Sequence, residues 1–421
     1  MSGPAADPAA VRRTVDAVWR IESARIVATL AKWAGGDVGL AEDLAQEALV
    51  EALTQWPGSG VPQNAGAWLT TVAKRRAIDR WRRDDRLAEK YRVLAQELDE
   101  PDDVTWEPID DDVLRLVFTA CHPVLGREAQ VALTLRVVGG LSSEEIARLF
   151  LLPVPTVQQR IVRAKKTLAA AKAPFETPEP SEWAERLGAV LGVVYLVFTE
   201  GYSATTGDRW VRTELANEAL RLGRVLVGLL PREPELHGLV ALMELQASRF
   251  RARTAPDGSP VLLEDQDRSR WDHGQVRRGV EALAQADALA AAAGRGRGPY
   301  ALQAAIAECH ALAPSVEETD WHRIVVLYEA LGRLAPNPVV ELNRAVAVSM
   351  AAGPEPALRL VDELAARGEL TGSHLVPSVR GELLARLGRT DEARSELLAA
   401  ASLARNDRQR QVLVDKAATL G

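Results

Sequence analysis

The segment from residue 141 to residue 168, LSSEEIARLFLLPVPTVQQRIVRAKKTL, constrains the fold of this chain more than any other. Ser142 and Glu145 are spaced to form a capping box, in which each side chain accepts a hydrogen bond from the other residue's backbone N–H. Pro153 and Pro155 end this helix. Pro155 suits the first turn of a second helix, because its missing N–H costs little there. The segment therefore predicts two short helices joined by a tight turn.

The second helix of this pair has two chemically different faces. Its apolar residues recur at helical spacing and are predicted to pack inward; they are Val157, Ile161, Ala164 and Leu168. Its predicted outward residues are amides and bases, namely Gln158, Gln159, Arg160, Arg163, Lys165 and Lys166. Amides pair with adenine edges, arginine pairs with guanine, and basic groups pair with phosphates, so this face suits the DNA major groove. A solvated basic helix in an ordinary bundle fits the same pattern.

A second basic helix is predicted over residues 66–86, GAWLTTVAKRRAIDRWRRDDR. Its inward stripe consists of Leu69, Val72, Ala73, Ala77 and Trp81. Its basic side chains are Lys74, Arg75, Arg76, Arg80 and Arg83. Residues 56–66 contain Gly, Pro and Asn and are predicted to form a loop, which together with the helix suits single-stranded bases and their phosphates. Trp68 at the junction suits either base stacking or the protein core.

Residues 41–57, AEDLAQEALVEALTQWP, predict a helix with an acidic outward face. The residues predicted to face inward are Leu44, Ala48 and Leu49. Those predicted to face outward are Asp43, Gln46, Glu47 and Glu51. Since an acidic helix is a poor ligand for DNA, its binding partner would be a basic protein surface. A solvated face without a partner is the alternative.

Charge alternates along the first part of the chain, although the net charge is −7. Residues 74–92 carry nine Lys or Arg against four Asp or Glu, and residues 160–172 carry five basic residues and no acidic one. Between these clusters, residues 97–112 carry nine acidic residues and no basic one. The distribution of charge matters more for nucleic-acid binding than the net charge, so these basic clusters are compatible with DNA binding in an acidic protein. The acidic stretch, interrupted by proline, predicts a linker over residues 93–112.

The composition favours an all-α protein of several domains. The chain has 421 residues, 5 % of them aromatic, and is rich in alanine, leucine and arginine, which favours helices. Cys121 and Cys309 cannot form a disulfide framework, which suits a reducing compartment. No apolar stretch has the length of a membrane span, and the first residues lack the apolar core of a signal peptide. We therefore expect a cytoplasmic protein without a membrane partner.

The C-terminal half is again predicted to be helical, after a proline-rich boundary at residues 172–183. It contains a weak repeat, because NRAVAVSMAAGPEPALRLVDEL resembles RGELLARLGRTDEARSELLAAA. Gly353 and Gly388 in these copies lie 388 − 353 = 35 residues apart, close to the tetratricopeptide period of about 34 residues. Ala357 and Ala393 are predicted to open the second helix of each copy. Any pair of helical hairpins fits the same pattern.

Residues 254–272 are predicted to form a non-helical insert, and several groups with catalytic chemistry lie close together at residues 262–274. The candidates for paired carboxylates and a metal are Glu264, Asp265, Asp267, Asp272 and His273. Their spacing matches no ligand motif, and the alternation of Asp with Arg favours ion pairs or loop anchoring. The Cys-His pairs at 121–122 and 309–310 lie in different predicted domains, which favours structural residues over zinc ligands. We predict no enzyme activity, no metal and no cofactor.

The motifs form an ordered set: DLAQEA, a loop, WLTTVAKRRAIDRWRR, an acidic linker and GLSSEEIARLF…PTVQQRIVRAKKTL. This set resembles the extracytoplasmic-function (ECF) sigma factors of bacterial RNA polymerase, and the resemblance covers residues 11–172. It implies sigma domain 2 at residues 1–92, the acidic linker at 93–112, and sigma domain 4 with a helix-turn-helix at 113–172. The linker would run into the RNA-exit channel, where an acidic thread suits a basic surface.

The resemblance also implies a role for each basic or acidic face, with core RNA polymerase (β and β′ subunits) and promoter DNA as partners. The residues implied to dock on the β′ clamp helices are Asp43, Gln46 and Glu47. The residues implied to bind the minus-ten element are Asn64, Trp68, Lys74, Arg75, Arg76, Arg80 and Arg83. The residues implied to bind the minus-thirty-five element are Thr156, Gln158, Gln159, Arg160, Arg163 and Lys166.

The chain departs from this family in the helix-turn-helix. Many members have glycine where Leu151 and Pro155 stand, so an atypical turn is predicted. Gln158 and Gln159 stand where Lys and Ser are common, so the promoter sequence does not carry over from the family.

Three C-terminal motifs, LGAVLGVVYLVFTEGYSA, LLEDQDRSRWD and PNPVVELNRAVAV, resemble the extension of a sigma subgroup with a tetratricopeptide-type domain. The resemblance implies a helical regulatory domain at residues 183–421, which would modulate the sigma core and bind a regulatory protein or ligand. The alternative for the whole chain is a helix-turn-helix regulator fused to a helical-repeat scaffold and independent of polymerase. Such a regulator would bind duplex DNA alone, whereas a sigma factor would need core polymerase.

Overall fold

The computed structural model describes residues 8–83, 110–150, 152–202, 212–255, 261–404 and 407–420. Within these ranges the chain forms α-helices and short 3₁₀-helices and no β-strand, which confirms the all-α prediction. The chain divides into two compact units, Met1–Val194 and Tyr195–Gly421. The domain boundaries predicted from the sequence remain predictions.

The helices of the first unit follow the predicted order closely. They are α1 (Pro8–Trp33), α2 (Val38–Ser59), α3 (Ala65–Arg83), α4 (Asp110–Ala120), α5 (Arg127–Val137), α6 (Ser143–Phe150) and α7 (Val154–Ala170). A further helix, α8 (Trp183–Tyr202), begins in this unit. The long helix α1 lies at the centre and packs against α2, α3, α4 and α5. Its buried Ile26 and Leu30 contribute to the shared core.

The predicted capping box and apolar stripe of residues 141–168 are confirmed. The Ser142 N–H donates to Glu145 Oε2 at 2.8 Å, and the Glu145 N–H donates to Ser142 Oγ at 3.1 Å. Pro155 lies in the first turn of α7. The four residues predicted to face inward on α7 are buried; they are Val157, Ile161, Ala164 and Leu168. Leu151, in the turn before α7, lies outside the described residues.

The loop predicted at residues 56–66 is shorter in the structure than in the prediction. Helix α2 continues to Ser59 with Pro57 in its last turns, and α3 begins at Ala65. Trp56 is buried, and burying its large side chain offsets the hydrogen bond that Pro57 cannot donate. Gly60, with a φ of 80°, then ends the helix in a conformation that favours glycine.

The predicted linker at residues 93–112 overlaps the start of α4, which begins at Asp110. Asp112 is buried and accepts a hydrogen bond from Arg115 Nη1 at 2.5 Å and from Lys32 Nζ at 3.3 Å. Acidic residues are favourable in the first turn of a helix, because the N–H groups there carry partial positive charge. The end of the acidic stretch is therefore helical; residues 84–109 lie outside the described part of the chain.

A close contact joins the turn before α6 to α1. Gly140 has a φ of 69°, and a Cβ built on it would lie 2.4 Å from Ser23 Oγ. Only glycine fits a position that combines a left-handed backbone with such an approach. The contact fixes where the two-helix segment begins relative to α1.

The second unit continues with α9 (Thr213–Leu229), α10 (Pro234–Ala247), α11 (His273–Ala292), α12 (Pro299–Leu312), α13 (Trp321–Leu334) and α14 (Pro338–Ala352). It ends with α15 (Pro354–Ala366), α16 (Leu375–Arg386), α17 (Thr390–Leu403) and α18 (Asp407–Ala418). Helices α10, α11 and α12 pack together around one core. A second core lies among α14, α15, α16 and α17.

The two predicted repeat copies each contain a helical hairpin. Gly353 separates α14 from α15 with a φ of 91°, and Gly388 lies between α16 and α17 with a φ of 74°. Ala357 and Ala393 are buried, but their helices begin at Pro354 and Thr390, earlier than predicted. A Pro in the first helical turn and an Asp–Glu pair after Thr390 both favour these earlier starts. The tetratricopeptide assignment itself stays a prediction.

The described part of the insert at residues 254–272 contains two 3₁₀-helices and no α-helix, as predicted. Asp272 caps α11 by accepting a hydrogen bond from the Gln275 N–H at 2.9 Å. Asp267 accepts one from the Ser269 N–H at 2.9 Å. Both carboxylates therefore anchor backbone, as the loop-anchoring interpretation predicts.

Cys121 and Cys309 are both buried free thiols. Burial raises the pKa of the Cys121 thiol to about 11, and its sulfur lies 3.4 Å from Thr134 Oγ1. The two cysteines lie in different units. Among the described residues, no helix is both long and apolar enough to cross a membrane.

Candidate nucleic-acid interface

Helix α7 presents most of its predicted DNA face to solvent, opposite its buried stripe. The exposed members of the predicted set are Gln158, Gln159, Arg163 and Lys166. Thr156 and Arg160 are half-buried, and Arg160 forms an ion pair with Glu128 of α5 at 2.7 Å. This face carries amide and guanidinium donors in one row, which is the arrangement that contact with base edges in the major groove requires.

Lys165 is the exception to the predicted outward face of α7. Its side chain is only 14 % exposed and lies against α2, where its ammonium group pairs with Glu42 and, at 3.0 Å, with Asp43. The prediction of an outward Lys165 was therefore wrong. Helical spacing places Lys165 beside the stripe of Val157, Ile161 and Ala164. The spacing alone cannot show that carboxylates of another helix lie within reach of its ammonium group.

Glu42 is a functional candidate that the sequence interpretation missed. It is 4 % exposed and accepts a hydrogen bond from Arg136 Nε at 2.7 Å in addition to its contact with Lys165. A buried carboxylate is costly unless cations compensate it, and here two cations do. The signal in the sequence was its position: Glu42 falls in the apolar stripe of α2 with Val38 and Ala45.

Helix α3 carries its basic side chains next to the acidic face of α2. Arg75, Arg76 and Arg80 are exposed. Arg76 Nη2 donates to Glu51 Oε2 at 2.5 Å and lies 3.7 Å from Glu47. The hydrogen bond from Arg76 to Glu51 raises the pKa of the guanidinium.

The remaining predicted residues of α3 are partly occupied by contacts within the protein. Lys74 lies over the ring of Trp33, with 4.9 Å between its Nζ and the ring centroid. The four described residues of the predicted inward stripe are buried: Leu69, Val72, Ala73 and Ala77. The side chains of Trp81 and Arg83 lie outside the described part of the structure.

The start of α3 shows what Asn64 and Trp68 do in the free protein. Asn64 Oδ1 accepts a hydrogen bond from the Ala67 N–H at 3.0 Å and so caps the helix. Trp68 is half-buried and meets the buried Trp56 edge-on, with 5.3 Å between ring centroids. One edge of Trp68 therefore belongs to the core.

The acidic face of α2 has the expected exposure. Asp43 and Glu47 are exposed, and Gln46 is half-buried. Each exposed carboxylate contacts a basic residue of a different predicted DNA helix, Asp43 through Lys165 and Glu47 through Arg76. The structure thus brings the predicted polymerase face into contact with both basic helices.

Comparison with known families assigns this arrangement. A model described as "Sigma-70 region 2" matches residues 21–87, and one described as "Sigma-70, region 4" matches residues 115–168. The chain belongs to the sigma-70 family as an ECF-like sigma factor. A third model, described as a family of unknown function (DUF6596), matches residues 186–287, so the sigma factor carries an additional C-terminal domain.

A curated relative extends the likeness over nearly the whole chain. The chain is 47 % identical over 376 residues to an uncharacterized protein of Rhizobium meliloti (strain 1021), which covers 88 % of this chain and 87 % of the relative. As a sigma factor, the protein directs RNA polymerase to promoters for transcription initiation, and its partners are core RNA polymerase and promoter DNA.

Proposed function

We propose that this sigma factor binds core polymerase through Asp43, Gln46 and Glu47 and reads promoter DNA through α3 and α7. The observation that carries the proposal is the exposed row of Gln158, Gln159, Arg163 and Lys166, which is set against a fully buried stripe. Amide and arginine side chains on one helix face discriminate bases, whereas lysine alone would hold only phosphate. The exposed Arg75, Arg76 and Arg80 of α3 suit the phosphates of the minus-ten element.

The contacts between α2 and the basic helices support a function that depends on polymerase. Lys165 and Arg76 already bind carboxylates of α2, so DNA competes with these contacts in the free protein. A polymerase that takes over the exposed Asp43 and Glu47 weakens that competition, while Lys165 keeps its contact with Glu42 and Arg76 keeps its contact with Glu51.

Promoter binding with and without core polymerase tests the proposal. Full-length protein is mixed with a promoter duplex in an electrophoretic mobility shift assay, and initiation is measured by run-off transcription. We expect a specific complex and transcript only when core polymerase is added, and loss of transcript with Arg80→Glu. Tight, specific binding of duplex DNA by the protein alone would overturn the proposal in favour of the independent regulator.

We also infer that the second unit modulates the sigma core. The inference rests on the separate compactness of residues 195–421, which lie beyond both sigma matches and have their own hydrophobic cores. Run-off transcription by the full chain and by residues 1–173, a cut that falls between α7 and α8, tests it. A change of activity in either direction supports control by the second unit, and equal activity contradicts it.

A further inference from the structure

A cavity of about 510 Å³ lies within the second unit, a volume suited to a small-molecule ligand. Helices α10, α12, α13 and α14 contribute its walls, together with the 3₁₀-helix around Leu263 and with Arg249, just after α10. Arg249 is the cationic group, and no Asp or Glu is among the described residues that line the cavity.

Several polar groups of the cavity lack partners among the described residues of the protein. The Tyr328 hydroxyl and the side-chain amides of Gln246 and Asn343 form no hydrogen bond there. His310 Nδ1 is buried and also has no partner. Asn343 is exposed, but Tyr328 and Gln246 are half-buried and His310 Nδ1 is buried. Such polar groups are normally satisfied, so three unpaired ones in one cavity indicate a ligand with hydrogen-bonding groups.

Arg249 gives the cavity its charge preference. Its Nη2 donates to the Tyr202 hydroxyl, and its guanidinium lies 5.8 Å from the ring centroids of Tyr202 and of Trp271. No carboxylate among the described residues pairs with it. Aromatic rings compensate this half-buried cation only in part, and an anion would complete the compensation.

His310 adds a neutral polar group rather than a second charge. Burial, assisted by the positive charges of Arg249 and Arg268, lowers the pKa of His310 to about 4. The remaining walls are apolar and include Ile306, Leu331 and Val340. The cavity therefore combines one cation, several neutral hydrogen-bonding groups and an apolar surface.

We propose that this cavity binds a small organic anion with an apolar body, whose carboxylate or phosphate group is held by Arg249. The planar guanidinium suits either oxyanion, and the amides and the Tyr328 hydroxyl bind the other polar groups of the ligand. The proposal concerns binding by the second unit and does not depend on how the sigma core recognises promoters.

Isothermal titration calorimetry of the full chain with three probes tests the proposal. The probes are 4-hydroxybenzoate for a carboxylate, phenyl phosphate for a phosphate, and 4-hydroxybenzamide as the uncharged analogue. We expect at least one anion to bind with a Kd below about 1 mM and the amide to bind about tenfold more weakly or not at all. If neither anion binds at about 10 mM, or if the amide binds as tightly, the proposal is wrong.

Three variants assign the binding to this cavity. Arg249→Gln is expected to weaken the anion about tenfold or more, because it removes the charge. Arg251→Gln is the matched control, since Arg251 is exposed on the neighbouring 3₁₀-helix. Tyr328→Phe removes a hydroxyl without a protein partner, so it is expected to weaken binding a few-fold without lowering Tm. Unchanged affinity in both Arg249→Gln and Tyr328→Phe would overturn the assignment.

Discussion

Glu42 of the first unit and Glu244 of the second are both buried helical carboxylates that pair with two cations, but the cations of the two sites differ in their exposure to solvent. Glu42 in the first unit is 4 % exposed, and its partners Arg136 and Lys165 are 15 % and 14 % exposed. Glu244 in the second unit is 2 % exposed, but its partners Arg224 and Arg278 are 49 % and 47 % exposed. Solvent can stabilise the cations around Glu244 when the carboxylate is lost. It cannot do so for those around Glu42.

The largest expected effect separates these two carboxylates. Glu42→Gln removes the carboxylate that pairs with Arg136 and one of the two that surround Lys165, so it is expected to lower the free energy of unfolding by about 3 kcal/mol. Glu244→Gln is the matched change and is expected to cost less, because exposed ion pairs are worth about 1 kcal/mol or less. Urea denaturation of both variants measures the difference. An equal loss for the two would show that exposure of the partners does not set the cost.

Reversing the charge of an exposed arginine is expected to affect transcription in the first unit but not in the second. Arg163→Glu on α7 is expected to lower run-off transcription about tenfold or more, since a base-contacting arginine contributes about 1–3 kcal/mol. Arg277→Glu, on an exposed turn of α11, serves as the control and is expected to leave transcription unchanged. An equal effect of the two reversals would contradict the assignment of α7 as the DNA-reading helix.

A third contrast between the units is the contribution of His310 and of His122 to the pH dependence of stability. Burial lowers the pKa of His310 to about 4 and also lowers that of His122, which is more exposed. Since the folded state resists protonation of His310, its stabilising contribution is present above the ordinary pKa of about 6.5 and is lost as the pH falls towards 4. The free energy of unfolding should therefore decrease between about pH 7 and about pH 5. We expect this decrease to shrink more in His310→Gln than in His122→Gln.

The smallest expected effect concerns helix caps, one from each unit. Ser142→Ala removes one half of the capping box of α6, and Asp272→Ala removes the cap of α11. Each is expected to cost about 1 kcal/mol, measured as a shift in the urea midpoint. The Ser142 variant keeps the backbone N–H that donates to Glu145, so its loss of stability should be nearly the same at about pH 5 and at about pH 7. Hydrogen bonds from Ser142 and the charge of Arg20 outweigh burial and keep the pKa of Glu145 below its usual value.

The features that the sequence predicted well are those set by neighbours along the chain. The capping box depends on residues three positions apart, and the α7 stripe depends on helical spacing, so both could be read directly. The C-terminal end of α2 could not be predicted from the sequence. The helix continues past Pro57 because Trp56 is buried in the core, and that packing depends on distant residues. The family resemblance was confirmed, while the individual roles of the site residues remain predictions.

Contacts between distant segments escaped the sequence interpretation for the same reason. Glu42 and Lys165 are separated by 123 positions, and nothing local marks them as partners. The cavity around Arg249 likewise draws on helices spread from α10 to α14. The helical periodicity of apolar residues does not show that Tyr328 and Gln246 line the same cavity. Each is an ordinary half-buried residue on its own helix.

The contact between Arg76 and Glu47 has a thermodynamic consequence for assembly. If DNA draws Arg76 away, Glu47 becomes a better ligand for a basic protein, and if polymerase takes Glu47, Arg76 is held only by Glu51 and becomes a better ligand for phosphate. The two affinities must change by the same factor, because the coupling free energy between two binding events is reciprocal. A guanidinium group on one helix that contacts a carboxylate on the next is thus a means by which the arrival of each partner favours the other.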